Sequence, residues 1–145
     1  MKLFNIDFCI KNLKTYITME NLHIEKGRNT PAVIFNTNGE LRIEGNSICE
    51  NSLAFYTPPL EWLKEFEKTN PQKITFHISL EYFNSSSSLL LIRMFTQLNQ
   101  IVKSGAETSI IWYYPEEDED MIEAGQNFSR IARLPFNFCS VGSQN

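Results

Sequence analysis

Lys73-Ile74-Thr75-Phe76-His77-Ile78-Ser79-Leu80-Glu81-Tyr82-Phe83 is the stretch on which the fold turns. Ile74, Phe76, Ile78, Leu80 and Tyr82 fall on one face of an extended chain, and Thr75, His77, Ser79 and Glu81 on the other. Successive side chains of a strand point to opposite faces, so the alternation predicts a strand with one buried side. Asn84 and the serines from Ser85 to Ser88 follow at once. Then Leu91, Met94, Phe95, Leu98, Ile101 and Val102 recur at helical spacing. The expected helix runs from about Ser86 to Ser104. Gly105 is placed to end it, because glycine accepts the left-handed backbone of a helix stop.

On the carboxyl side, Thr108 to Tyr114 predicts another apolar strand. Glu116 to Arg133 predicts a helix, with acids at its amino end and Arg130 and Arg133 at its carboxyl end, as the macrodipole favours. Phe136 to Val141 predicts a last strand. On the amino side, Ala32-Val33-Ile34-Phe35, the turn Thr37-Asn38-Gly39 and Leu41-Arg42-Ile43-Glu44 read as a β-hairpin. After a loop from Asn46 to Asn51, Ser52 is the expected cap of a helix through Leu53, Tyr56, Leu60, Leu63 and Phe66. Pro58 and Pro59 lack amide hydrogens and are expected to kink or restart that helix, and Thr69-Asn70-Pro71 to end it. Strand–helix–strand crossovers make the later strands parallel. The expected architecture is a single α/β domain over residues 30–141. It has a mixed sheet with an N-terminal hairpin and parallel strands, helices packed on it, and a short tail at 142–145.

Residues 1–29 form an expected N-terminal extension. In residues 1–18, Leu3, Ile6, Ile10, Leu13 and Ile17 recur at helical spacing, while Asp7, Lys11 and Lys14 interrupt every apolar run. This is neither a membrane span nor a signal-peptide core. One reading is an amphipathic arm; the other, preferred because domain-like patterning begins only near Thr30, is a leader before a start at Met19. The extension carries five Lys/Arg and three Asp/Glu, so charge changes sign at its boundary with the rest of this chain of net charge -4.

A chain of 145 residues with 42% apolar and 21% charged residues can bury a core and is not a disordered polymer. The acidic balance argues against nucleic acid as a partner. Cys9, Cys49 and Cys139 are too far apart for a zinc pattern and odd in number for a disulfide framework, so a reducing cytoplasm is the expected compartment.

The segment from Leu80 to Ser88 leaves the carboxyl end of a strand and enters a helix, the place where α/β proteins hold their sites. Three readings stay open there: helix capping by serine, a phosphate-cradling loop, and a serine that is itself phosphorylated. The cradle is weakened by the absence of glycine in the loop. The acids Glu116, Glu117, Asp118, Glu119 and Asp120 are consecutive and so point around a helix axis rather than at one cation. Catalytic pairs are scarce. Asp occurs only at 7, 118 and 120, His77 sits mid-strand, and no nucleophile elbow, Walker loop or dinucleotide fingerprint is present. The expectation is a protein acted upon, not an enzyme, with no metal and no cofactor.

Four blocks, in order, closely resemble the SiaC-type family of regulatory phosphoproteins. They are Thr30-Pro31-Ala32-Val33-Ile34-Phe35; Glu50-Asn51-Ser52 with Phe55-Tyr56; Leu80-Glu81-Tyr82-Phe83-Asn84-Ser85-Ser86-Ser87; and Trp112-Tyr113-Tyr114 leading into Glu117-Asp118-Glu119-Asp120-Met121 and Glu123-Ala124-Gly125. The resemblance spans about residues 30–138. It implies a fold like that of the STAS anti-sigma-factor antagonists. It also implies a partner switch, in which a cognate kinase phosphorylates one hydroxyl of the serine loop and a PP2C-like phosphatase removes the phosphate. The unphosphorylated form of such proteins engages and activates a diguanylate cyclase, which ties the switch to cyclic-di-GMP signalling and biofilm behaviour. The acceptor position falls on Ser85, where threonine is common in the family. Partner contacts are expected from Glu50, Asn51, Ser52 and Tyr56 on one segment, from Asn84, Ser86 and Ser87 on the next, and from Trp112. The chain departs from the family pattern at Cys49, where proline is usual, and at Pro59, where an apolar residue is common. Two other readings remain: a flavodoxin-like small-ligand or phosphate-binding protein using the serine loop, and an interaction module that has lost regulation.

Overall fold

The computed structural model describes residues 19–142. Its strands are β1 (Leu22–Ile24), β2 (Ala32–Phe35), β3 (Glu40–Ser47), β4 (Lys73–Phe83), β5 (Glu107–Pro115) and β6 (Asn137–Val141). Its helices are α1 (Ser52–Lys68), α2 (Ser85–Lys103) and α3 (Glu119–Ala132). The strands form one sheet in sequential order, β1 to β6. β1–β2 and β2–β3 pair antiparallel; β3–β4, β4–β5 and β5–β6 pair parallel. Each parallel crossover steps to the next strand in the same direction. Right-handed crossovers of that kind place all three helices on one face of the sheet.

That face is the core. Ile74, Phe76, Ile78 and Leu80 of β4 are buried, together with Phe35, Leu41 and Ile43 on one side and Ile110 and Trp112 on the other. Phe76 meets Phe35 edge-on at 5.6 Å and Phe95 of α2 at 6.3 Å between ring centroids. Thr75, His77 and Ser79 are half-buried on the opposite face, where the His77 Nδ1 lies 2.8 Å from the Tyr113 hydroxyl. The central-strand expectation, with β4 interior and β5 parallel to its neighbours, holds.

Several local expectations are corrected. The sheet begins inside the expected 1–29 extension: β1 pairs with β2, and the Trp62 indole donates to the Glu20 carbonyl at 2.7 Å. The arm and leader readings of residues 1–18 lie outside the described residues. α1 is capped by Asn51, not Ser52, because the Asn51 carboxamide accepts from the Ala54 amide at 3.1 Å. α1 also continues through Pro58 and Pro59. Tyr56 before them and Leu63 and Phe66 after them are buried, so packing holds both halves on the sheet despite the missing amide hydrogens.

α2 begins at Ser85 with Asn84 as its cap, one residue earlier than the apolar spacing suggests. α3 begins only at Glu119, after Glu117 takes a left-handed φ of 75° and Asp118 caps the Met121 amide at 3.0 Å. Arg133 also lies outside α3, as its left-handed cap. Tyr82 is exposed rather than buried. Gly45 pairs with Leu80 but Asn46 pairs with Tyr82, so Glu81 is an extra residue in β4, and this bulge turns Tyr82 to the other face.

Gly125 of α3 lies directly on Trp112. A Cβ there would stand 2.6 Å from the indole Nε1 and 2.8 Å from the Phe138 ring. Gly125→Ala should therefore destabilise the fold by about 1–3 kcal/mol through overpacking, read as a lower urea midpoint at unchanged slope.

Candidate functional site

The carboxyl ends of β3 and β4 and the amino ends of α1 and α2 meet at one edge of the sheet. Parallel strands joined by helices force this, because every such connection leaves a strand top and enters a helix start. The Asn84 amide donates to the Ser47 carbonyl at 3.0 Å, and the Asn84 carboxamide reaches the Cys49 carbonyl at 3.4 Å. Ser52 and Ser86 hydroxyls are 2.7 Å apart. The Glu50-Asn51-Ser52 loop and the Asn84-Ser85-Ser86 turn, distant in sequence, thus form one patch.

The adjacent serines of the turn are not equivalent. The Asn84 Oδ1 accepts from the Ser87 amide at 2.9 Å, which closes the first turn of α2, and from the Ser86 hydroxyl at 3.1 Å. Since the Ser86 proton is committed to Asn84, Ser52 is the donor in the Ser52–Ser86 bond. Ser88 bonds back to the Ser85 carbonyl at 2.7 Å. Ser87 is fully buried, and its hydroxyl donates to the Ser47 carbonyl at 2.8 Å. Among the described residues, only the Ser85 hydroxyl of this run has no hydrogen-bond partner, and Ser85 is exposed. It occupies the first position of a helix, where free amides and the macrodipole favour an added anion.

Beneath the turn lies a chain of buried hydroxyls. Ser47 Oγ donates to Ser87 Oγ at 2.8 Å and lies 2.6 Å from the Tyr56 hydroxyl and 3.8 Å from the Cys49 Sγ. Ser47 has one proton and spends it on Ser87, so Tyr56 and Cys49 are the donors to Ser47. Burial pushes the Tyr56 phenol well above its ordinary value, against the lowering effect of the Ser47 hydrogen bond and with a smaller raising effect from Cys49. A raised folded-state pKa makes the neutral phenol a stabilising group. Its contribution is complete below the ordinary phenol value of about 10 and is lost as pH climbs from there toward the folded-state value. Tyr56→Phe should cost about 1 kcal/mol near neutral pH and flatten the fall in stability above about pH 10, as seen in urea midpoints measured across that range.

The residues expected to meet a partner divide accordingly. Glu50, Asn51 and Ser86 are exposed at the patch, and Asn84 is half-buried within it. Ser52, Tyr56, Ser87 and Trp112 are buried, so none of the four presents a contact surface. Tyr56 and Ser87 belong to the hydroxyl chain. The Trp112 indole donates to the Met121 carbonyl at 2.9 Å and packs under α3. Ser47 went unnoticed in the sequence because a serine ending a strand carries no pattern; only the fold brings it beneath Ser87. Exposed apolar residues also escaped notice. Ile48, Leu53, Tyr82 and Leu89 are solvent-exposed on the segments that carry Asn84, Ser52 and Ser86.

No group of three or more His, Cys, Asp or Glu among the described residues is arranged to hold a metal ion. No helix among them is long and apolar enough to cross a membrane.

Comparisons with known proteins agree with this fold. The family model described as SiaC family regulatory phosphoprotein matches residues 24–141. An uncharacterized protein of Pseudomonas aeruginosa (strain UCBPP-PA14) is 26% identical over 119 residues, covering 81% of this chain and 94% of that protein. The crystal structure of the diguanylate cyclase SiaD in complex with its activator SiaC from Pseudomonas aeruginosa contains a similar chain. It has a TM-score of 0.77 and 25% identity, with 83% of this chain and 99% of that chain covered. The apo-SiaC crystal structure from the same organism superposes with a TM-score of 0.74 at 24% identity, covering 82% and 98%. This chain belongs to the SiaC family of regulatory phosphoproteins.

Proposed function

We propose that the chain is a non-enzymatic, phosphorylation-controlled partner switch of the cytoplasm, with Ser85 as the phosphoacceptor. A cognate kinase adds the phosphate and a PP2C-like phosphatase removes it. The unphosphorylated form binds and activates an output protein, a diguanylate cyclase. The observation that carries the reading is the state of Ser85: exposed, at a helix start, with an uncommitted hydroxyl among serines whose hydroxyls are bonded. The similar SiaC chain, described as the activator of SiaD, supports the choice of a cyclase as output. Exposed Glu50, Asn51, Ser86, Ile48, Leu53, Tyr82 and Leu89 supply the partner surface.

Sequential strand order argues against a flavodoxin-like ligand site. Such sites form where the strand order reverses and helices leave to opposite faces, and this sheet has no reversal.

The test is intact and tandem mass spectrometry of the wild type and Ser85→Ala after treatment with the cognate kinase. One phosphate on Ser85 in the wild type and none in Ser85→Ala is expected. Equal incorporation in both proteins would move the acceptor elsewhere and defeat the assignment.

A further inference from the structure

From the buried hydroxyl chain we infer that Tyr56 and Ser47 are positioning residues that determine which serine of the turn receives phosphate. The inference rests on Ser85 being the acceptor. Protons run one way, from the Tyr56 hydroxyl to Ser47 Oγ, to Ser87 Oγ, and to the Ser47 carbonyl. That carbonyl also accepts the Asn84 amide, so both of its lone pairs are used. Two consequences follow. Ser87 is fixed inward, fully buried, and withheld from any kinase. The register of α2 is fixed as well: with Ser87 at the third helical position, Ser85 must be the first, exposed and without a hydroxyl partner, while exposed Ser86 stays bonded to Asn84. Four neighbouring serines of identical chemistry thereby become one acceptor and three structural groups. Cys49 enters the same chain through its thiol, at the position where the family pattern has proline.

Breaking the relay should release this selection. Tyr56→Phe keeps the ring and removes the proton that starts the chain; Ser87→Ala removes its middle. Both variants should speed amide exchange across residues 86–89 by about tenfold, the effect of one lost buried hydrogen bond on local opening. In Tyr56→Phe, phosphate delivered by the cognate kinase should spread from Ser85 to Ser86 and Ser87. Ile101→Val, in the distant half of α2, serves as a control with a similar loss of global stability and should keep phosphate on Ser85. A kinase-independent result decides the case where the wild type takes no phosphate at Ser85: the acceptor reading then fails, while exchange still reports whether the relay holds the turn. Unchanged exchange at residues 86–89 in both variants overturns the inference. So does phosphate confined to Ser85 in Tyr56→Phe, or the same spread of phosphate in Ile101→Val.

Discussion

Phosphorylation of Ser85 should weaken binding to the proposed cyclase partner at least tenfold, while leaving the chain folded. The two halves of this expectation have different physical origins. Within the chain, the phosphate would sit on the first residue of a helix of 19 residues, where unsatisfied amides and the positive end of the dipole stabilise it. Against a partner, the same group adds nearly two negative charges to a surface of hydroxyls, amides and exposed apolar side chains, including Leu53, Tyr82 and Leu89, on which Glu50 is already negative. Stripping its water without a matching cation costs several kcal/mol, and about 1.4 kcal/mol is already a factor of ten. Ser85→Ala should bind constitutively. Ser85→Asp should fall between the two states, since it brings one charge and a smaller shape. Isothermal titration of each form against the cyclase, alongside thermal melts of each form alone, separates loss of affinity from loss of fold.

Trp112→Ala should be the most destabilising single change at the sheet end, about 3–5 kcal/mol. Trp112 is fully buried, stacks on Phe136 at 6.0 Å, meets Phe128 at 5.6 Å and donates to the Met121 carbonyl. Truncation removes the packing between β5 and α3 and the indole bond to that carbonyl, which keeps only its partner within the helix, and leaves Gly125 facing a void. Small domains are stable by only about 5–15 kcal/mol, so much of the margin is lost. Chemical denaturation measures the loss. The molecules that remain folded should still bind the cyclase normally, because Trp112 reaches no surface.

The sheet was legible in the sequence because its signals are local. Alternation from Ile74 to Leu80 predicts a one-sided strand, and the apolar spacing from Leu91 to Val102 predicts the helix that covers it. The misreadings occur where a tertiary contact overrides local pattern. β1 is three residues long and exists only because β2 pairs with it. Tyr82 follows the alternation but is turned outward by the extra residue Glu81, which depends on pairing with β3. Asn51 and Ser52 are both good caps, and only the backbone chooses between them.

The candidate site was legible to the same extent. The strand-to-helix turn could be located from Asn84 and the serines after it, and its neighbour loop from the family block at Glu50. Burial could not be read from either. Tyr56 and Ser87 were expected to meet a partner and lie in the interior, paired through Ser47, a residue 40 positions from Ser87. The exposed apolar side chains were hidden for another reason: Leu53 reads as part of the apolar set of its helix and Leu89 falls on no pattern, and both are left uncovered at the helix starts.

Cyclic-di-GMP production by the proposed partner cyclase is the measurement to make, with three samples of this chain: unphosphorylated, fully phosphorylated on Ser85, and the second sample after phosphatase treatment. The expected sequence is activity, a drop of at least tenfold at subsaturating chain, and full recovery. Equal cyclase activity with all three samples would contradict a switch at Ser85.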